Sequence, residues 1–211
     1  MKRYSAITDS SRKVPDNSPQ GHRHAGMSSK AFLNAERVLQ ETGLKGGESF
    51  LDVGCGEGHF SIAASKIVGN KGKVYALDSY EKSIAVLKEQ IHRQQIANIE
   101  AIVADVTQKM PLPDGIIDVC LMANVMHGFL ANGEVPRVMT ETARVMKMKS
   151  MLAVVEFQKI DGPPGPPISI RMTPDELEAL ISGYGFKKDR VAEVGPIHYA
   201  AMFRTVPRNS G

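Results

Sequence analysis

Cysteine is scarce. Two occur in 211 residues, Cys55 and Cys120, both in apolar, strand-like surroundings. That excludes a disulfide framework and suits a reducing compartment. No apolar stretch is long enough to span a bilayer, so membrane insertion is not expected. The opening MKRYSAITDSSRKVP carries basic residues with no apolar run behind them, so it does not read as a secretory leader. The expected location is the cytoplasm. An excess of one charge is also missing: 26 Lys and Arg face 23 Asp and Glu, a formal net of +3, mixed along the chain. Without a basic run, no nucleic-acid partner is expected. What is present is an ordinary globular composition, 42% hydrophobic and 23% charged, long enough for one domain with a substantial core. It is compatible with a homo-oligomer.

Residues 1–27 are polar and show no period of 2 or 3.6, which reads as a flexible arm or lid. The main domain is expected over 28–206, with a disordered tail at 207–211. Ser28 reads as the N-cap of a helix to Thr42, with Phe32, Ala35 and Leu39 on its apolar face and Gly43 ending it. Strands are expected at Ser49–Val53, Lys73–Leu77, Ile99–Val103, Ile117–Ala123 and Leu152–Phe157. Helices fall between them: His59 to Ile67, one carrying Ile84, Leu87 and Ile91, and one carrying Val135, Met139, Thr142 and Met146. This alternation predicts an α/β fold with a mostly parallel, doubly wound, Rossmann-like sheet. The rhythm then breaks. Thr173-Pro174-Asp175-Glu176 opens a helix with a capping box. Arg190–Val194 and His198–Thr205 are joined by three residues, too few for a crossover helix, so a seventh strand closes the sheet as an antiparallel hairpin.

Asp52-Val53-Gly54-Cys55-Gly56-Glu57-Gly58 lies between a strand and a helix, where glycines let a ligand approach the backbone. A dinucleotide loop would read G-x-G-x-x-G. Here the spacing is G-x-G-x-G, and His59 stands where the third glycine would be. A carboxylate at Asp52 would repel a pyrophosphate and suit a ligand carrying an amino group and a sulfonium. The charge therefore favours S-adenosylmethionine over a nicotinamide cofactor, which leaves an oxidoreductase as the weaker alternative. Asp78, followed by Ser79, ends the second strand, where it can accept from both ribose hydroxyls. Asp105 follows the third strand and can accept from an adenine amino group, with the backbone near Val106 at the ring edge. Singly, Asp78 and Asp105 read as turn or cap residues. In register behind the loop they read as a cofactor set.

LDVGCGEGHFSIAAS, VYALDSYEKSI, ADVTQKMPLPDGIIDVCLMANVMH and LAVVEF resemble the successive motifs of class I S-adenosylmethionine-dependent methyltransferases, over about Ala31 to Arg204. GPPISIRMTPDELEALISGYGF resembles the loop and helix of the ubiquinone/menaquinone-biosynthesis and related small-molecule group. The resemblance implies that Asp52, Gly54, Cys55, Gly56, Gly58, Asp78, Ser79, Asp105, Val106 and Asn124 hold S-adenosylmethionine. One departure is Lys147-Met148-Lys149-Ser150, where relatives carry a Pro-Gly-Gly turn.

Methyl displacement asks a protein for alignment, desolvation and, where the acceptor holds a proton, a base. His127, just past the fourth strand, is the candidate catalytic base and acceptor contact. On position alone, a histidine that packs and bonds at a helix start is the preferred reading. Arg171 is expected either to pair an anionic acceptor or to brace its own loop, and His24 on the arm to cover the pocket. No metal is expected, since suitably spaced ligands are missing. Against the resemblance, Asn124-Val125-Met126-His127 lacks the Pro-Pro-aromatic stretch of amino-methylating relatives. Two packed cysteines leave none for arsenic. A small-molecule acceptor is the expected partner. The alternative from another class is an idle S-adenosylmethionine-binding domain that regulates a partner.

Overall fold

The computed structural model describes residues 33–162 and 165–207. The expected arm, with His24, and the cap at Ser28 lie outside these residues. The helix itself, α1, runs Ala35–Thr42: Asn34 caps it, its side chain accepting from the Arg37 amide at 3.0 Å, and Gly43 closes it with φ 71°. The described residues Leu33 and Asn34 are not helical, so the helix starts later than Ser28 predicts.

The strands are β1 (Ser49–Val53), β2 (Lys73–Asp78), β3 (Ile99–Val103), β4 (Ile117–Ala123), β5 (Met146–Phe157), β6 (Phe186–Gly195) and β7 (His198–Thr205). The remaining helices are α2 (His59–Val68), α3 (Glu81–Arg93), α4 (Met126–Ala131), α5 (Val135–Val145) and α6 (Pro174–Ile181). The seven strands lie in the order β3-β2-β1-β4-β5-β7-β6. The first five are parallel, and β7 joins β5 and β6 antiparallel. This is the predicted α/β fold with its terminal hairpin. The crossovers run outward from β1 on both sides, so the strand order reverses between β1 and β4, where open α/β sheets bind ligands.

Alternate residues feed two cores, one on each face. Phe50, Val74, Leu121 and Val155 pack under α1 to α3, whereas Leu51, Leu77, Met122 and Val154 pack under the helices that follow β4. Burial on both faces explains why the central strands read as continuous apolar runs. Thr173 and Glu176 form the expected capping box of α6.

Other details of the ladder also differ from expectation. Met146 leaves the α5 face and starts β5, opposite Ile117. The next paired residues are Val119 and Met151, so Lys147 to Ser150 bulge out of the ladder. Lys149 there takes φ 62°, a left-handed conformation that favours glycine. The bulge is pinned instead by side chains: Ser150 Oγ donates to the Lys147 carbonyl at 2.6 Å, and Thr205 Oγ1 to the same carbonyl at 2.8 Å. Last, β6 starts at Phe186, not Arg190. Charged residues at Lys187, Lys188 and Asp189 hid an edge strand paired on one side only.

Candidate functional site

The glycine loop joins β1 to α2 with three left-handed residues: Gly54 (φ 72°), Gly56 (φ 52°) and Gly58 (φ 86°). A Cβ at Gly58 would stand 2.3 Å from Leu87 Cδ1, and one at Gly54 2.6 Å from Val125 Cγ1. Neighbouring elements thus press against two of the glycines. A Cβ at Gly56 would meet nothing within 4 Å, so the middle of the loop faces open space. The amides of Gly54 and Cys55 both donate to the Leu77 carbonyl, which fastens the loop to the end of β2.

The acids stand at successive strand ends. Asp52 is buried in β1 and accepts from Ser61 Oγ at 2.6 Å. Burial is the main cause that pushes its carboxyl up to about 7; the Ser61 bond opposes the shift, and Asp78 adds to it. Asp78, half-buried, accepts from the Gly56 amide (2.8 Å) and from the Tyr80 amide (2.8 Å). Ser79 beside it is exposed. Asp105 is exposed and accepts from the Thr107 amide (2.9 Å) and hydroxyl (2.7 Å), while Val106 points into the core. The turn roles read for Asp78 and Asp105 are therefore present, and they hold both carboxylates at the crevice. Cys55 is buried in the loop, and burial drives its thiol upward, so it stays protonated.

Past β4 the site changes character. Asn124 takes φ 58°, and its buried Oδ1 accepts no hydrogen bond. His127 lies at the start of α4, 2% exposed. Its Nδ1 is 2.8 Å from Glu156 Oε2, and its amide donates to Glu156 Oε1 at 3.1 Å. Glu156, itself buried near the end of β5, thereby orients the ring. Phe157 follows, edge-on to the His127 ring with centroids 6.4 Å apart. Arg171 lies over the same phenyl ring at 5.5 Å and donates to the carbonyls of Pro166 (2.9 Å) and Ile160 (2.8 Å). These bonds tie Arg171 to its own loop. A shallow cleft of about 380 Å³ runs along that loop beside Arg171.

Glu156, Ser61 and His198 were not read as site residues. A signal existed for Glu156, the one acid inside an otherwise apolar strand run. Ser61 and His198 carry none, because their partners lie on other elements. Among the described residues, no group of three or more His, Cys, Asp or Glu is placed to hold a metal, and no helix is long and apolar enough to cross a membrane.

Residues 44–182 match the family described as methyltransferase domain. The chain belongs to that family, among the S-adenosylmethionine-dependent methyltransferases. A solved S-adenosylmethionine-dependent methyltransferase from Aquifex aeolicus is similar over 84% of this chain and 93% of its own, with 31% identity and a TM-score of 0.76. A 2-phytyl-1,4-naphtoquinone methyltransferase of Trichormus variabilis is 28% identical over 128 residues, 59% of this chain and 53% of that protein. A ubiquinone/menaquinone biosynthesis C-methyltransferase of Pseudomonas entomophila is 30% identical over 123 residues, 58% of this chain and 46% of that protein. The chain thus spans about half the length of those two relatives. S-adenosylmethionine is the family's cofactor, and the residues present fit it. The Asp52 carboxyl can accept a hydrogen bond from its amino group, Gly56 leaves room before the loop, and Asn124 offers an unused buried acceptor.

Proposed function

We propose that the protein transfers a methyl group from S-adenosylmethionine to a ring carbon of a small quinol-type acceptor. The observation that carries a base-assisted reaction is the buried His127–Glu156 pair, which joins the start of α4 to the end of β5. The names of the relatives point to the quinol.

When bound, the cofactor supplies an electrophilic methyl carbon with a sulfide leaving group. Asp52 would hold its amino group, Asp78 would accept from the ribose hydroxyls, and Asp105 with the backbone of Val106 would receive the adenine edge. Asn124 Oδ1 would accept a further donor. A carboxylate on Nδ1 assigns the ring proton there and makes Nε2 of His127 the basic nitrogen. That nitrogen takes the proton of the acceptor hydroxyl, which raises electron density on the neighbouring ring carbon, and Glu156 stabilises the imidazolium that results. Once methylated, that carbon gives up its own C–H proton to solvent to restore the aromatic ring, and the imidazolium returns a proton to the oxygen, so one proton is released overall. Burial keeps water from competing for either the proton or the methyl group.

The test is transfer of labelled methyl from S-adenosylmethionine to 1,4-dihydroxynaphthalene, with the product identified by mass and by the position of the new carbon. C-methylated product is expected. Cofactor binding without transfer to this or other small phenols would favour the idle, regulatory reading.

A further inference from the structure

His198 is the first residue of β7 and pairs with Phe157, the last residue of β5. It therefore sits at the ligand end of the parallel strands. Its side chain is fully buried, and neither ring nitrogen has a hydrogen-bond partner. A buried imidazole always carries at least one N–H, so this one forfeits bonds that water would supply. Most buried polar groups in proteins are satisfied, and a group at a ligand crevice that is not can be completed by a ligand. The ring packs on Phe157 with centroids 4.2 Å apart, and Phe157 also touches His127 and Arg171. The same phenyl ring lies under Gly165, where a Cβ would come within 2.7 Å of it, and Gly165 and Arg171 line the open cleft. Phe157 thus connects three features: the cleft, the His127–Glu156 pair and the unpartnered imidazole.

We propose that His198 is a specificity-determining residue that hydrogen-bonds a ring oxygen of the acceptor. The inference rests on the quinol reading above. A para-quinol carries oxygens on opposite sides of its ring. His127 addresses the one that loses its proton, and His198 binds the other, which orients the carbon between them toward the methyl group. His198 acts as a neutral donor: burial pushes it down to about 4, against the pull of Glu156, so it binds hydroxyl or carbonyl oxygen without adding charge. A site built to bond an oxygen rejects analogues that lack it, because its own polar group is then left unpaired.

The experiment uses full-length protein with 15N-labelled histidine, loaded with S-adenosylhomocysteine and titrated with 1,4-dihydroxynaphthalene and with 1-naphthol. Binding is followed in parallel by calorimetry. The expected result is a shift of the His198 ring nitrogens with the diol and a weaker one with the mono-ol. His198→Phe should raise KM for the diol about five- to tenfold, erase the preference over 1-naphthol and leave cofactor affinity unchanged. It should also raise Tm, since an unsatisfied group is removed. Binding of the diol with no change at His198, or a stabilised His198→Phe protein with unaltered kinetics, overturns the inference alone. No binding of the diol at all overturns the quinol reading and this inference with it.

Discussion

The two halves of the site solve their polar problem differently. On the β1–β2–β3 side, each strand-end carboxylate already has donors from the protein: Ser61 for Asp52, the Gly56 and Tyr80 amides for Asp78, Thr107 for Asp105. On the β4–β5–β7 side, Asn124 Oδ1 and both nitrogens of His198 have none, and a buried hydrogen bond joins His127 to Glu156. One half is organised before any ligand arrives, and the other is left incomplete. Pre-organised groups lower the ordering cost of binding. Unsatisfied groups reward only a ligand that completes them. Damage to the first half or to Asn124 should therefore show in cofactor affinity, and damage to His127, Glu156 or His198 in turnover and acceptor choice.

The largest effect expected is on turnover. His127→Ala should lower it by on the order of 10²–10⁴-fold if the acceptor must lose a proton, and by only a few-fold if it need not. The cofactor dissociation constant should hardly move. A rise in that constant large enough to account for the whole loss would transfer His127 to the cofactor half and break the division.

Gly58→Ala comes next. The new methyl meets Leu87 Cδ1 at 2.3 Å and the residue must keep φ 86°, so the fold should lose about 2–4 kcal/mol in urea unfolding. Unchanged stability would mean that α3 can retreat from the loop. Asp78→Ala should weaken S-adenosylmethionine by about 1–3 kcal/mol in calorimetry. An unaltered constant in a folded variant would leave Asp78 as a clasp for Gly56 and nothing more.

A fourth test sets the halves against each other through pH. Asp52 is pushed up from 3.8 to about 7, so its proton is held more tightly in the folded chain. Its contribution favours folding at low pH and is lost as pH climbs through about 7. His198 is pushed down from 6.5 to about 4, so its contribution is present above 6.5 and lost as pH falls toward 4. Between pH 4 and 6.5 the two slopes oppose one another. As pH falls across that window, Asp52→Asn should lose stability more steeply than the parent, and His198→Phe should gain it. Urea midpoints at pH 5 and pH 7 decide the matter, and identical pH dependence in all three proteins would refute both assignments. The smallest effect lies outside the site. Lys149→Gly should add about 0.5 kcal/mol by relieving φ 62° in the β5 bulge. A loss there would mean that the lysine side chain contributes to the bulge.

How far the sequence carried the reading also divides along this line. The glycine loop, its acids, β1, β3, β4 and the α6 capping box depend on local spacing, and each stands at its predicted place. Glu156 meets His127 across 29 residues, and His198 meets Phe157 only through the β5–β7 register. No window of sequence contains those neighbours. The same holds for Met146: its helical spacing was sound, but pairing with Ile117 outweighed it. Residues 186–189 look like a loop because an edge strand needs polar side chains on its open side.

That open side bears on how copies of this protein meet. β6 leaves one row of backbone donors and acceptors unpaired, a template on which another chain could add a strand. It carries exposed Lys187, Asp189 and Arg190 and two breaks in register, between Lys188 and Arg190 and between Glu193 and Gly195. Charge makes the approach of an identical edge unfavourable, and the irregular ladder spoils its alignment. No dimer of this chain is therefore expected to form by adding a strand to β6, which leaves the hairpin that holds His198 clear of such a contact.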